Sequence, residues 1–192
     1  MKIGCFIYGF DENNFAPSVV SCQETFKECE VYAATTNDTN WKILSAACTP
    51  CCGNSSGYEE NTSLYSLRSL NNITAMKFQN QSDLFSFINT AAQKFDLLFI
   101  MRSGVIFGDS IASLIDEFKD SNIGCVYSDG SKRYRSISPI HSFAYDMECV
   151  VIRSSLVPNN ASNLKDILSY IYSKSIVKHI PEKLYESIYS KN

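Results

Sequence analysis

Phe95-Asp96-Leu97-Leu98-Phe99-Ile100-Met101 is apolar at every position except Asp96. A strand with one face in water alternates apolar and polar residues, whereas a strand covered on both faces does not. The segment therefore reads as a central strand of a sheet with a helix layer on each side. It is followed by Arg102-Ser103-Gly104, a polar stretch with glycine, where the chain leaves the sheet.

The flanking sequence fits that layering. Upstream, Ser82 is a candidate N-cap for a helix that places Leu84, Phe85, Ile88, Ala92 and Phe95 on one side. Downstream, Asp109 is a candidate cap for a helix with Ile111, Leu114, Ile115 and Phe118 at i, i+3, i+4, i+7 spacing. A strand from Gly124 to Ser128, a turn at Asp129-Gly130 and a strand from Cys149 to Arg153 come next. Ser162 then caps a helix burying Leu164, Ile167, Leu168 and Ile171.

Toward the N-terminus, Ile3 to Tyr8 is a buried strand ended by Gly9, and Pro17 opens a helix with Val19, Cys22 and Phe26 inside. Glu30 to Thr35 is a second strand. The middle is less regular: Trp41 to Ala47 and Ile73 to Phe78 are strand candidates, with residues 48–63 a loop or insertion between them. Helices alternating with buried strands predict a single α/β domain over residues 1–192, an α/β/α layering around a mostly parallel sheet.

With 45% hydrophobic residues, the chain can bury a sizeable core. Its 17 basic and 20 acidic residues give a net charge of -3, which offers no field for nucleic acid or an anionic membrane. The one basic cluster, Lys132, Arg133 and Arg135, is short enough to be a solvated turn. No stretch is long enough for a membrane span, and Ile3 to Tyr8 is too short for a signal peptide's apolar region. The expected location is the cytoplasm.

Five of the eight cysteines, Cys5, Cys22, Cys29, Cys125 and Cys149, lie in apolar or amphipathic segments, where thiols act as small hydrophobes. Cys48, Cys51 and Cys52 crowd into one loop. A structural zinc site needs a second ligand pair, and His141 and His179 lie far away in sequence, so a thiol or disulfide loop is the expectation.

Several segments, in order, resemble family 2 glycosyltransferases, which have the GT-A fold. Ile3-Gly4-Cys5-Phe6-Ile7-Tyr8 is similar to that family's first strand, and Ser21-Cys22-Gln23-Glu24-Thr25 to the end of the helix after it. The Phe95–Met101 run resembles the strand leading to the metal motif, and Gly108-Asp109 with its helix resembles the segment next to that motif. Val126-Tyr127-Ser128-Asp129 and the stretch from Cys149 to Leu156 resemble later strands. His179-Ile180-Pro181, with Leu184-Tyr185, is similar to the closing segment. The match is poor between Trp41 and Gln81.

The resemblance implies sugar transfer from a nucleotide-sugar donor. In that chemistry acidic residues hold a divalent cation against the diphosphate, and a second carboxylate serves as base. Here Arg102-Ser103-Gly104 replaces the acidic motif, so no divalent cation is expected. Tyr8, Asp38, Arg102 and Ser103 are the donor-binding candidates, with Arg102 able to meet phosphate oxygens directly. Asp129 and Asp166 are the catalytic candidates. Asp129 reads better as a turn residue, and Asp166, on a helix with Leu164 and Ile167 inward, as a solvent-facing charge. The alternative is a non-catalytic binding or assembly module with a protein partner, such as a viral structural or accessory protein in the virion, since fold alone does not carry activity.

Overall fold

The computed structural model describes residues 1–10, 14–48, 64–130 and 147–188. The elements run β1 (Ile3–Gly9), α1 (Phe15–Thr25), β2 (Glu30–Thr35), α2 (Asp38–Ala47), β3 (Leu64–Leu70), β4 (Ile73–Phe78), α3 (Gln81–Ala92) and β5 (Leu97–Arg102). The second half continues β6 (Val105–Phe107), α4 (Ser113–Asp116), β7 (Ile123–Asp129), β8 (Cys149–Arg153), α5 (Leu164–Lys174), β9 (Ile176–Lys183) and β10 (Tyr185–Ser187).

Eight strands form one sheet in the order β3-β4-β2-β1-β5-β8-β7-β9, and β6 pairs with β10 in a small second sheet. The pairings of β1 with β2 and β5, of β2 with β4 and of β7 with β9 are parallel. Strand β3 is antiparallel to β4, and β8 is antiparallel to both its neighbours. The sheet is thus mostly parallel with helices on both faces, as the apolar run at Leu97 to Met101 predicts.

Alternation along each strand divides the core in two. Phe6, Tyr8, Leu98 and Ile100 pack with Leu84 and Ile88 of α3 and with Ile167 and Ile171 of α5. Cys5, Ile7, Phe99 and Met101 pack on the other face with Val19 of α1, Leu44 of α2 and Leu114 of α4. The five cysteines expected in apolar segments are buried, and burial pushes the Cys125 and Cys149 thiols up. Cys48 is buried at the end of α2. Cys51, Cys52, His141, the basic cluster at Lys132, Arg133 and Arg135, and most of the 48–63 stretch lie outside the described residues.

Five expectations change. Trp41 to Ala47 is helical rather than extended. Asn37 caps it, its side chain accepting from the amides of Thr39 at 2.8 Å and Asn40 at 3.2 Å, and Leu44, Ser45 and Cys48 recur on one buried face. A cap followed by helical periodicity outweighs weak strand propensity. Asn80, not Ser82, caps α3, and Asn163, not Ser162, caps α5. Both asparagines lie three residues before the amide they accept, the reach an Ncap side chain needs.

Asp109 caps nothing: α4 begins at Ser113 without a side-chain cap and runs into a 3₁₀ turn over Glu117–Lys119. The apolar spacing there is informative all the same, because Ile111, Leu114 and Phe118 are buried. Finally, Asp129 is the last residue of β7, and buried, rather than a turn residue.

Candidate functional site

From β1 the chain winds outward through β2 to β4, then returns to place β5 on the other side of β1. Open α/β sheets bind ligands outside the carboxyl ends of the strands at such a switch point. The register puts Tyr8 beside Arg102 there, and the Ser103 amide donates to the Tyr8 carbonyl at 2.8 Å.

A cavity of about 240 Å³ opens at this place. Tyr8, Phe10 and Phe85 form its aromatic wall, with Phe85 edge-on to Tyr8 at 5.4 Å and Phe10 tilted against it at 5.7 Å. Gln81 from the start of α3, Asn163, Leu164 and Lys165 from the start of α5, and Arg102 complete the lining. Among these residues two are cationic and none is a carboxylate. A larger hollow, about 450 Å³ and lined by Lys2, Phe26 and Cys29 among others, lies at the opposite, amino end of β1, away from the switch point.

The other candidates scatter. Ser103 is fully buried and lies outside the cavity lining; a Cβ on Gly9 would sit 2.5 Å from its hydroxyl, so glycine permits that close approach. Gly104, at φ +95°, turns the chain next, and its amide donates to the Ser18 hydroxyl at 2.8 Å. Asp38 is exposed at the first position of α2 and ion-paired with Lys77, which holds its carboxyl below the usual range. Asp38 does not line the cavity.

Asp166 faces its own helix start. Its carboxylate accepts from the Ser162 hydroxyl at 2.6 Å and the Ser162 amide at 2.9 Å, and these bonds lower its pKa. That is a capping role, which leaves little basicity for catalysis.

Asp129 ends β7 at the same end of the sheet as Arg102, two strand positions away across β8. A spacing near 4.8 Å per strand makes that roughly 10 Å. Its carboxylate meets His179 Nε2 at 2.9 Å, and the imidazole stacks on Tyr127 with centroids 4.8 Å apart. Between Arg102 and Asp129 lies Glu148, whose carbonyl accepts from the Arg102 amide at 2.8 Å. Glu148 is 1% exposed; Oε2 accepts from Ser187, while Oε1 is buried with no hydrogen-bond partner among the described residues.

A divalent cation does not fit the turn where the resemblance would put one. The donor set there is a guanidinium, a buried hydroxyl and a glycine. Among the described residues no group of three or more His, Cys, Asp or Glu side chains is arranged to hold a metal ion. No helix among them is long and apolar enough to cross a membrane.

Sequence reasoning reaches Tyr8 and Arg102 but misses Phe10, Gln81, Phe85, Asn163 and Lys165 in the same cavity. Phe85 reads from its spacing as a core residue, which is half its role. The others emerge only once α3 and α5 are known to start beside the β1 and β5 ends.

Known structures superpose on nearly the whole chain. A Bacillus anthracis protein described as a glucose-1-phosphate thymidylyltransferase, solved with sucrose, superposes with a TM-score of 0.57 at 10% identity, covering 95% of this chain and 87% of its own. The chain has a nucleotidyltransferase-like fold. The 4-diphosphocytidyl-2C-methyl-D-erythritol synthase of Anaerococcus prevotii superposes at 0.58 with 8% identity, over 98% of this chain and 88% of that one. No protein-family model and no curated protein sequence matches the chain.

Proposed function

We propose that the chain binds a nucleoside-diphosphate sugar in the crevice between β1 and β5 and transfers the sugar to an acceptor without a divalent cation, as a divergent relative of family 2 glycosyltransferases. One observation carries this reading: Tyr8 and Arg102, neighbours in register, put an aromatic wall and a guanidinium on one cavity at the switch point. An aromatic face suits a base, and a guanidinium suits phosphate oxygens.

Arg102 would stabilise charge on the departing diphosphate. Asp129, oriented by His179, is the acceptor-side base in this reading, since Asp166 is engaged in its cap. The acceptor oxygen forms the new bond to the anomeric carbon as its proton passes to Asp129. The bond from that carbon to the diphosphate breaks, and its electron pair leaves with the diphosphate.

The burial of Asp129 and its bond to His179 equally favour a second reading, a binding module that keeps the fold without the transfer. A thermal-shift series with UDP-, GDP-, CMP- and dTDP-sugars, with and without Mn²⁺, tests the proposal. The expected result is a rise in melting temperature with one base, independent of Mn²⁺ and absent in Arg102→Ala. No rise with any donor at millimolar concentration would overturn donor binding. A rise without sugar release would favour the module.

A further inference from the structure

Gln81 is the first residue of α3, and it lines the cavity at the β1 end together with Phe85 of the same helix. Residues four apart in a helix are neighbours on its surface. The Gln81 carboxamide therefore stands beside the Phe85 ring, which itself meets Tyr8 edge-on.

Two carboxamides line this cavity, and they differ. Asn163 is spent: its Oδ1 accepts from the Asp166 amide at 3.0 Å, and its Nδ2 donates to the Ser162 hydroxyl at 3.2 Å. Gln81 is exposed and makes no hydrogen bond among the described residues. Its carbonyl and its NH₂ are both open to a ligand, one acceptor beside one donor. That pair is the complement of a flat ring whose edge sets a donor next to an acceptor. Strand order adds a direction. Helix α3 follows β4, and β4 and β5 lie on opposite sides of β1. A ligand that meets Gln81 and also reaches the β5 end must cross Tyr8, which suits a molecule with a ring at one end and a chain at the other.

We infer that Gln81 reads the hydrogen-bonding edge of the nucleobase while the base lies against the Tyr8 and Phe85 rings. The inference rests on the donor reading for the nucleotide. It makes Gln81 a specificity-determining residue, because a carboxamide at this place accepts one donor and one acceptor, whereas a carboxylate accepts donors alone.

The experiment is calorimetric titration of wild type, Gln81→Ala and Gln81→Glu with the diphosphates of uridine, cytidine, adenosine and guanosine. Gln81→Ala should weaken the tightest of the four by about tenfold or more, the loss expected for a paired amide contact. Gln81→Glu should move the preference toward guanosine by about tenfold relative to the other three. Guanine alone sets two donors side by side on that edge, and the carboxylate repels the acceptor that each other base presents.

Neither variant touches the cap of α3, which Asn80 makes through the Asp83 amide, and an acid in a first turn suits the macrodipole. Both should therefore melt with wild type when no ligand is present. Unchanged affinities in Gln81→Ala, or an equal effect of Gln81→Glu on all four nucleotides, overturn the inference and leave a nucleotide site standing. No binding of any nucleoside diphosphate by wild type overturns the inference and the donor reading together.

Discussion

His179 Nε2 lies 2.9 Å from Asp129 Oδ1, joining the last residue of β7 to the middle of the edge strand β9. Both side chains are about nine-tenths buried, at 9% and 11% exposure, so the contact is made largely out of water. His179→Ala should cost about 1–3 kcal/mol by leaving the carboxylate without its imidazole. Loss of the Tyr127 stacking adds about 0.5–1.5 kcal/mol. Urea unfolding of His179→Ala, Asp129→Asn and the double variant gives the coupling; a value near zero would show that the two residues do not act as a pair.

Asp166 makes the cap of α5 sensitive to acid. Its folded-state pKa is lowered by the Ser162 hydroxyl and amide. A depressed carboxylate stabilises above its unfolded value, near about 3.9, and the contribution is lost as pH falls through the lower folded value. Asp166→Asn should therefore be less stable than wild type at pH 6, with the gap closing below about pH 4. Denaturant midpoints measured from pH 7 to pH 2.5 check this; a gap constant across that range would contradict it.

Gly104 has little room for a side chain. At φ +95° a Cβ would stand 2.9 Å from the Ile188 carbonyl oxygen, and L-residues rarely adopt that backbone region. Gly104→Ala should cost about 1–3 kcal/mol. Because the Ile188 amide donates to the Gly104 carbonyl at 2.8 Å, amide exchange at Ile188 should accelerate in the same variant. Normal stability with slow exchange would show that the turn tolerates a side chain.

Glu148 bears a buried carboxylate oxygen that no donor among the described residues meets. Buried charge without full hydrogen bonding is expensive, and apolar replacements of similar volume are often neutral or stabilising. Glu148→Met should change stability by less than about 1 kcal/mol, or raise it, despite losing the Ser187 bond. A loss above about 2 kcal/mol in chemical unfolding would mean that Glu148 is satisfied in solution.

Layering is legible because Leu97 to Met101 is apolar without alternation, a pattern that burial on both faces permits. The strand at Glu30–Thr35 is legible from its β-favouring residues, and that at Cys149–Arg153 from its apolar run. Helix α2 is not, because Trp41 to Ala47 is short and the decisive signal, Asn37, precedes it as an ordinary loop residue would. Tyr8 and Arg102 are legible as strand ends. Their shared cavity with Lys165 is not, since three segments distant in sequence build it and no local spacing records that meeting. The partnership of Asp129 with His179 is hidden likewise, because it depends on the parallel pairing of β7 with β9.

Strand β8 comes after β7 in sequence but sits between β5 and β7 in the sheet. During synthesis, β2, β4 and β5 can pair as soon as they emerge, since each borders a strand already made. Strand β7 has no such neighbour and must wait for residues 149–153 before it joins the sheet. The nascent chain therefore carries a half-sheet with an open β5 edge and an undocked apolar segment. Exposed edges and apolar surface of that kind favour misassembly, so the interval between the emergence of β7 and that of β8 is the one in which the growing chain is most exposed to aggregation.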